Sequence, residues 1–279
     1  MSQTKQDAFQ GPDLSSMIEL FEALALEAGN AIMPYFTNGC ETMIKDDHSP
    51  VTAADHAAEE IILKGLRSNY PDVPVVAEEE ICAGHIPAAL GSMFFLVDPL
   101  DGTKEFINKR PDFTVNIALV SDGTPIAGTV YSPVRKEVFS GFSDSATEAR
   151  VIDGRFGKRK KISIAGRDRA KVAVASRSHL TPETERFLNE HSISECVSVG
   201  SSLKFCLLAR GEADIYPRFG RTMEWDTAAG DAVLRAAGGR TLNPDGSRFL
   251  YGKQTQSNDA PFANPSFIAF ATRKTQTNY

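Results

Sequence analysis

The feature that most constrains this chain is a buried apolar run that ends in two closely spaced aspartates. Residues 94–97 are four apolar residues without a polar interruption, which predicts a short buried strand. The run continues into Asp98-Pro99-Leu100-Asp101-Gly102-Thr103. Proline cannot donate to a sheet ladder and favours an extended residue before it. We therefore expect the strand to end at about Asp98, and a tight turn to follow.

This turn brings two carboxylates to the carboxyl end of a buried strand, which is where ligands bind in open α/β sheets. Two carboxylates cannot both stay charged in a small space unless a cation lies between them. Oxygen donors of this kind suit Mg²⁺. The backbone N–H groups of Gly102 and Thr103 follow directly and would receive an anion. An Asx-type turn after a core strand remains the alternative interpretation at this point.

Composition limits the classes of partner. The chain has 279 residues with a net charge of −6, and 42% of them are hydrophobic. These values predict an ordinary globular protein and argue against nucleic acid or an anionic membrane surface as the main partner. A small phosphorylated substrate stays compatible with this charge if a metal ion supplies the local positive charge.

The ends of the chain and its cysteines indicate a cellular location. No apolar run approaches the roughly 18 residues of a membrane span, and residues 1–13 lack the apolar core of a signal peptide. We expect a flexible N-terminus, no integral membrane segment and a cytoplasmic protein. Peripheral association with the cytoplasmic face of the inner membrane is left open, as is the choice between monomer and homodimer. Four cysteines without a CxxC pair predict free thiols.

Apolar spacing predicts the elements of the first half of the chain. Helical periodicity indicates one helix over residues 14–36 and a second from an N-cap at Thr52 to about residue 70. Residues 42–50 are interpreted as a loop. Strands are predicted over 73–76, 113–120, 125–131 and 137–141, the last three as an antiparallel meander.

The second half predicts an alternation of strands and helices. The basic run 158–161 is interpreted as a solvated loop or hairpin edge, near the boundary between two subdomains, 14–160 and 161–279. Beyond it we expect strands over 171–176, 196–200, 213–216 and 267–271, and helices over 181–190, 201–209 and 226–237. The overall prediction is a layered α/β fold that forms one catalytic domain.

Further acids lie at element ends, and each also has a structural explanation. Glu78 follows a short strand and would suit a solvated turn. Asp226 opens a helix and would suit an N-cap, while Asp55, three residues after Thr52, matches a capping box. Lys45, Lys104 and the five histidines are interpreted as surface or loop residues. No GxSxG, P-loop or GxGxxG pattern is present. Because a layered α/β fold gathers ligands at such element ends, the acids together favour one shared site.

Three motifs carry a family resemblance. Glu78-Glu79, the stretch from Asp98 to Thr103, and Trp225-Asp226-Thr227-Ala228-Ala229-Gly230 resemble, in order and spacing, the signatures of the inositol monophosphatase superfamily. The resemblance covers residues 14–271. It implies an αβαβα sugar-phosphatase fold with two subdomains and a lithium-sensitive, magnesium-dependent phosphatase with two or three Mg²⁺ per site.

Within the superfamily the chain is similar to the CysQ-like branch of 3′(2′),5′-bisphosphate nucleotidases. The similarity lies in residues 98–106, 113–119, 200–205 and 224–230, and Lys104 and Glu105 stand where inositol phosphatases carry a second Thr and an Asn. It implies removal of the 3′-phosphate of adenosine 3′,5′-bisphosphate to give AMP, which clears a by-product of sulfate assimilation. The alternatives are an inositol-1-phosphate or histidinol-phosphate phosphatase on the same fold, and a non-catalytic metal- or phosphate-binding regulatory protein.

The resemblance also implies roles for residues. Glu78, Asp98 and the carbonyl of Leu100 would hold one Mg²⁺, and Asp98, Asp101 and Asp226 a second. Thr103, oriented by Asp55, would help Glu78 position and deprotonate the attacking water. The substrate would contact these metal-site residues and the amides of Gly102 and Thr103, with Ser201, Ser202 and Lys204 as candidates for the ribose or second phosphate. Ala77 stands where Gly or Ser is common, so the choice of Glu78 over Glu79 depends on spacing alone.

Overall fold

The structure of the protein, a computed structural model, describes residues 13–44, 50–168, 170–175 and 181–272. The predicted flexible N-terminus lies outside these ranges except for Asp13, and so do Lys45, His48 and His179. Seven helices lie in the described residues: α1 Leu14–Asn38, α2 Ala53–Asn69, α3 Glu78–Cys82, α4 Thr103–Ile107, α5 Pro182–Glu190, α6 Leu203–Ala209 and α7 Ala228–Ala236.

The same ranges contain fifteen strands: β1 Thr42–Ile44, β2 Pro50–Thr52, β3 Val75–Ala77, β4 Met93–Asp101, β5 Thr114–Ser121, β6 Thr124–Ser132, β7 Glu137–Phe142, β8 Ser145–Ile152, β9 Arg155–Phe156, β10 Lys160–Ile162, β11 Val172–Ala175, β12 Glu195–Ser198, β13 Ile215–Arg218, β14 Arg240–Leu242 and β15 Phe267–Phe270. The helices predicted near α1, α2 and α5 and the meander β5–β7 are confirmed. The region predicted as a loop over 42–50 instead begins and ends in an antiparallel pair, β1 with β2.

The elements stack in five layers, which confirms the αβαβα architecture. One apolar core joins α1 and α2 to the larger sheet and contains Phe95 and Val97 of β4. A second core, on the other face of that sheet, joins Phe94 and Leu96 to α6, α7 and the smaller sheet. A third lies between the smaller sheet and α5. Because alternate residues of β4 enter two cores, the strand is apolar without interruption from Met93 to Val97.

The larger sheet has the order β10-β8-β7-β6-β5-β4-β3, with β9 paired to β8. Its strands are antiparallel except β3 and β4, which run parallel. The carboxyl ends of β3 and β4 therefore meet at one edge of the sheet. This geometry brings Glu78, directly after β3, towards Asp98 and Asp101 at the end of β4.

The prediction that the central strand ends at Asp98 is wrong, because β4 continues to Asp101. Asp98 pairs with Asn116 and Asp101 pairs with Thr114, and the register shifts between them. A β-bulge leaves one strand with residues that have no ladder partner, so the missing N–H of Pro99 falls where no hydrogen bond is required. The bulge re-aims Asp101 while keeping it on the strand.

The smaller sheet has the order β12-β11-β13-β15-β14. Strands β12, β11 and β13 run parallel, and β15 is antiparallel to both β13 and β14. The predicted strand over 213–216 is displaced to Ile215–Arg218, which places Arg218 at its carboxyl end. The boundary of the two subdomains at residue 160 stays a prediction.

The basic run 158–161 is only partly a solvated edge. Lys160 and Lys161 belong to the edge strand β10, paired with β8, and their side chains are exposed. Arg159 instead donates to Glu22, a buried carboxylate of α1 that also accepts from Ser140 at 2.7 Å. Arg159, one of the four cations of this run, therefore links α1 to the larger sheet.

Two negative findings concern the described residues. None of their helices has both the length and the apolar character that a membrane span requires. None of the four cysteines takes part in a disulfide, which confirms the predicted thiols.

Candidate active site

A cavity of about 260 Å³ opens where the two sheets approach each other. It is lined from the carboxyl ends of β4 and β13, the starts of α3, α4 and α6, and the segment before α7. Seven of the predicted site residues line it: Glu78, Asp101, Gly102, Thr103, Ser201, Lys204 and Asp226. The other four, Asp55, Asp98, Leu100 and Ser202, each bond to a lining residue or lie against one.

The three consecutive glutamates separate into three roles. Glu78 lines the cavity, whereas the Glu79 side chain is buried. Glu80 pairs with Arg67 at 2.7 Å. The amides of Glu79 and Glu80 donate to the buried Glu59 carboxylate at 2.8 and 3.0 Å, which fixes the start of α3. This arrangement supports Glu78, and not Glu79, as the candidate metal ligand, a choice that the sequence could make only by spacing.

Asp98 forms the Asx-type turn that the sequence left open. Its Oδ1 accepts from the amide of Leu100 at 3.0 Å, and the side chain is 1% exposed. The turn directs the Leu100 carbonyl towards Thr103, whose hydroxyl lies 3.4 Å from it. The structural and functional interpretations of Asp98 are therefore compatible.

Asp55 links the second helix to the site. Its Oδ2 accepts from the amide and hydroxyl of Thr52 at 2.8 and 2.7 Å, which confirms the capping box. Its Oδ1 lies 3.4 Å from the Thr103 hydroxyl. Thr103 thus has acceptors on two sides, Asp55 and the Leu100 carbonyl.

Ser202 has a different position from the one predicted for a substrate contact. Its amide donates to Asp101 Oδ2 at 2.6 Å, and its hydroxyl donates to the Asp226 carbonyl at 2.6 Å. The side chain is 2% exposed and does not line the cavity. Because both polar groups are used within the protein, Ser202 supports the two aspartates and is not placed to contact a substrate.

Asp226 is not the N-cap of α7, contrary to the sequence interpretation. The cap position is Thr227, without a side-chain cap bond, and α7 begins at Ala228. Asp226 Oδ2 accepts from the amide of Met223 at 2.8 Å, inside the turn that precedes the helix. This bond turns the carboxylate back, away from the helix start and into the cavity lining.

Burial raises the pKa values of three of these carboxylates, and repulsion among the carboxylates adds to the effect for Asp98 and Asp226. Burial, with repulsion from Glu78, Asp101 and Asp226, raises the pKa of Asp98 well above its usual range. Burial and repulsion from Asp101 and Glu78 raise the pKa of Asp226 to about 8. Burial also raises the pKa of Asp101, against the opposing effects of Lys204 and the hydrogen bonds from Ser202. Without protons or a cation, these groups destabilise one another.

Comparison with known proteins establishes the family. The model of the inositol monophosphatase family matches residues 13–274. The chain belongs to the inositol monophosphatase family. Among its curated relatives, the 3′(2′),5′-bisphosphate nucleotidase CysQ of Escherichia coli K12 is 43% identical over 254 residues, which cover 90% of this chain and 98% of that protein. CysQ of Buchnera aphidicola is 40% identical, covering 91% of this chain and 94% of that protein.

A solved family member has the same fold. The crystal structure of CysQ from Bacteroides thetaiotaomicron superposes with a TM-score of 0.75 at 36% identity, covering 93% of this chain and 98% of that one. The sequence-based assignment to this family and fold is thereby confirmed.

The donor set of this family member fits a hard divalent cation. Glu78, Asp98, Asp101 and Asp226 offer only carboxylate oxygens, the ligands that Mg²⁺ prefers, and a cation would remove the repulsion among them. In the part of the chain that the structure describes, no three His, Cys, Asp or Glu side chains are already arranged to hold one ion. Metal ligation by these residues therefore stays a prediction that depends on donor chemistry.

Cations that the sequence analysis missed line the same cavity. Arg218 and Arg221 join Lys204 and the exposed Lys104 there. Lys204 is buried, its Nζ donates to the Ser201 carbonyl at 2.5 Å, and it lies 5.5 Å from the centre of the Tyr216 ring. Burial lowers the pKa of Lys204 to about 8. Arg218 ends β13, but the strand predicted over 213–216 stops two residues before it, and no local motif marks it.

Proposed function

We propose that this chain is a 3′(2′),5′-bisphosphate nucleotidase, which hydrolyses the 3′-phosphate of adenosine 3′,5′-bisphosphate to AMP and phosphate. The observation that carries the proposal is one cavity lined by a carboxylate cluster together with Lys204, Arg218 and Arg221. The carboxylate cluster would bind the phosphate that reacts through the cation that it holds. The additional cations suit a substrate with a second phosphate. The 43% identity to a CysQ protein over nearly its whole length supports the same conclusion.

The proposed cofactor is Mg²⁺, held by the carboxylates of Glu78, Asp98, Asp101 and Asp226 and by the Leu100 carbonyl. When bound, the cation would polarise the phosphate and lower the pKa of a bound water. Sensitivity to Li⁺ is part of the same proposal, since it is typical of the family.

Thr103 and Glu78 are the residues proposed to handle the attacking water. The Thr103 hydroxyl has one proton and two acceptors, Asp55 Oδ1 and the Leu100 carbonyl, both at 3.4 Å. With its proton directed to either of them, the Thr103 oxygen is left to accept a hydrogen bond from water. Glu78 lines the same cavity and would take the proton that the water loses on attack.

The phosphate groups would be bound by backbone and side-chain donors. Gly102 has a φ of 98°, a left-handed conformation that suits glycine, and it precedes α4 directly. The amides of Gly102 and Thr103 are proposed for the reacting phosphate, and Ser201, Lys204 and Arg218 for the second phosphate or the ribose. Arg218 is held by the carbonyls of Gly220 and Arg221 at 3.1 and 3.0 Å, so its guanidinium is preorganised.

The test is phosphate release from adenosine 3′,5′-bisphosphate and from inositol-1-phosphate at equal concentrations with Mg²⁺, with and without Li⁺. A strong preference for the nucleotide is the expected result. A preference for inositol-1-phosphate would refute the substrate while keeping the phosphatase. No release from either would favour a non-catalytic regulatory protein. The Asp101→Asn variant, purified identically, controls for contaminating phosphatases.

A further inference from the structure

Asn116 lies at the centre of a buried network that joins the two sides of the active site. It sits on β5, directly opposite Asp98 on β4, and is 1% exposed. Its Nδ2 donates to Ser202 Oγ at 2.9 Å and faces Asp101 Oδ2 at 3.3 Å. One amide group thus contacts a carboxylate of the proposed metal site and Ser202, the residue that precedes α6.

The network fixes which way this amide points. The Ser202 hydroxyl has a single proton, which goes to the Asp226 carbonyl at 2.6 Å. Ser202 Oγ must then accept from Asn116, and Asp101 Oδ2 can only accept when ionised. The amide nitrogen, and not the amide oxygen, therefore faces both Ser202 and Asp101.

The amide oxygen on the other side is unsatisfied. Asn116 Oδ1 and Thr114 Oγ1 are buried side-chain atoms of β5 that have no hydrogen-bond partner within the described ranges. Thr114 pairs with Asp101 in the sheet, two residues along from Asn116, so both side chains lie on the same face of β5. A buried acceptor without a partner destabilises the folded state, and such atoms are retained where a water or ligand completes them.

We propose that Asn116 is a positioning residue for the metal centre, an inference that rests on the function proposed above. Through Nδ2 it holds the Asp101 carboxylate and, through Ser202, the backbone of Asp226. It thereby sets the separation of two carboxylates, one at the end of β4 and the other in the segment before α7. Its Oδ1, with Thr114 Oγ1, provides acceptors for water at the base of the centre.

A merely structural asparagine would affect stability and nothing else, so the test measures metal binding directly. Asn116→Leu keeps the side-chain volume and removes the amide. Thr129→Val is the matched control, because Thr129 is also fully buried, lies on the adjacent strand opposite Ile117, and loses only a bond to Ser140 at 3.2 Å. Mg²⁺ affinity is measured by calorimetry, and folding by near-ultraviolet circular dichroism.

Asn116→Leu should bind Mg²⁺ about 10–100-fold more weakly than the wild type, the usual effect of removing a partner of a metal ligand. Thr129→Val should stay within about twofold of the wild type, since no site residue is changed. A folded Asn116→Leu protein with wild-type affinity overturns the proposal. If Asn116→Leu does not fold, Ser202→Ala decides, because it breaks the same link, and unchanged affinity there also overturns it.

The outcome is separable from that of the proposed function. A wild-type protein that binds Mg²⁺ but prefers inositol-1-phosphate would refute the nucleotidase, and the affinity of Asn116→Leu would still test the positioning role. A wild-type protein that binds no Mg²⁺ would overturn the positioning role and the proposed cofactor together.

Discussion

Asp55 holds the start of α2 with one carboxylate oxygen and faces the Thr103 hydroxyl with the other, at 3.4 Å. Helix capping and the orientation of Thr103 therefore depend on one side chain. The first interaction is local in sequence, and the second spans 48 residues. A substitution that preserves the cap but changes the group facing Thr103 separates the two roles.

Asp55→Asn makes this separation. The asparagine oxygen can still accept from Thr52, where two donors converge, and this turns its NH₂ group towards Thr103. A donor in that position removes one of the two acceptors of the Thr103 proton. We expect kcat to fall by about 10²–10⁴-fold, the usual contribution of a positioned proton-transfer group. Steady-state kinetics with Mg²⁺ measures this.

The control for Asp55→Asn is Thr52→Ala, which removes the hydroxyl of the capping box but leaves Asp55 beside Thr103. It should lower the free energy of unfolding by about 1 kcal/mol and change kcat little. Comparable losses of kcat in the two variants would show that the cap, and not the contact with Thr103, supports catalysis.

The apolar pattern predicted α1, α2, α5 and the meander well because it directly records which faces are buried, while the order of the layers was implied by the family resemblance. The end of β4 was misjudged because the rule for proline is local, whereas the bulge that accommodates Pro99 depends on pairing with β5. Strand β8 was missed because about half of its residues are only partly buried or exposed, which leaves a weak alternation. Strands β1 and β2 were both missed because each has only three residues, too few to show a period.

The acidic half of the candidate site could be predicted, whereas of the cations in its basic half only Lys204 was. Asp98, Asp101 and Asp226 occur in motifs, so spacing identifies them. Arg218 acquires a role only when β13 lies beside the start of α6, a tertiary relationship without a local signal. Ser202 was taken for a substrate contact because it lies in the motif over 200–205 with Ser201 and Lys204, which do line the cavity; only the hydrogen bonds show that Ser202 faces inward.

Lys204 predicts a pH dependence of substrate binding. Burial lowers its pKa to about 8, so the ammonium loses its proton as the pH rises through about 8, and a binding charge for phosphate is lost. Phosphate esters complete their second ionisation near pH 6, so the substrate does not change charge in this window. We expect KM for adenosine 3′,5′-bisphosphate to rise between pH 7 and 9 while kcat changes less.

Lys204→Met removes the ammonium charge completely, so it should give the largest rise in KM that deprotonation of Lys204 can cause. Losing a charge-assisted contact should raise KM about tenfold or more at pH 7, and the variant should show no further step near pH 8. A matching assay with 3′-AMP, which lacks the second phosphate, should show a smaller effect of the substitution. An equal rise in KM for both substrates would place Lys204 at the reacting phosphate.

Glu59 predicts a pH dependence of stability. Burial raises its pKa from 4.5 to about 7, so between these values the folded state holds a proton that the unfolded state has released. The stabilisation is complete below pH 4.5 and is lost as the pH rises through about 7. The shift corresponds to about 3 kcal/mol. Urea unfolding of the protein in a chelator at pH 5 and pH 8 measures the difference.

Glu59→Gln should reduce this slope by the part that Glu59 contributes, because the amide does not titrate; the raised pKa values of Asp98 and Asp226 leave a remainder. It should also lower stability at pH 5 by about 1–3 kcal/mol, since only one oxygen remains for the amides of Glu79 and Glu80. Glu60→Gln, a substitution at the exposed neighbour on α2, is the control and should keep the wild-type slope. A slope as steep in Glu59→Gln as in the wild type would assign the pH dependence entirely to other groups.

Asp101→Asn tests the proposed metal centre with little risk to the fold. The asparagine oxygen can accept the same bonds from the Ser202 amide and from Asn116 that Asp101 Oδ2 accepts at 2.6 and 3.3 Å. The amide nitrogen then takes the place of the carboxylate oxygen towards the cavity. An anionic ligand is lost, and so is the repulsion of Asp101 with Asp98 and Asp226.

Losing the repulsion stabilises the folded protein without metal, whereas losing the ligand weakens the stabilisation by Mg²⁺, so the two effects can be measured separately. In a chelator, Asp101→Asn should unfold at the same temperature as the wild type or above it, because relieved repulsion stabilises the folded state. With Mg²⁺ present, the wild type should gain stability from ligand binding and the variant should gain much less. Its kcat should fall by about 10²–10³-fold as electrostatic stabilisation is lost. Near-wild-type turnover at ordinary Mg²⁺ concentrations would refute the assignment of Asp101 as a metal ligand.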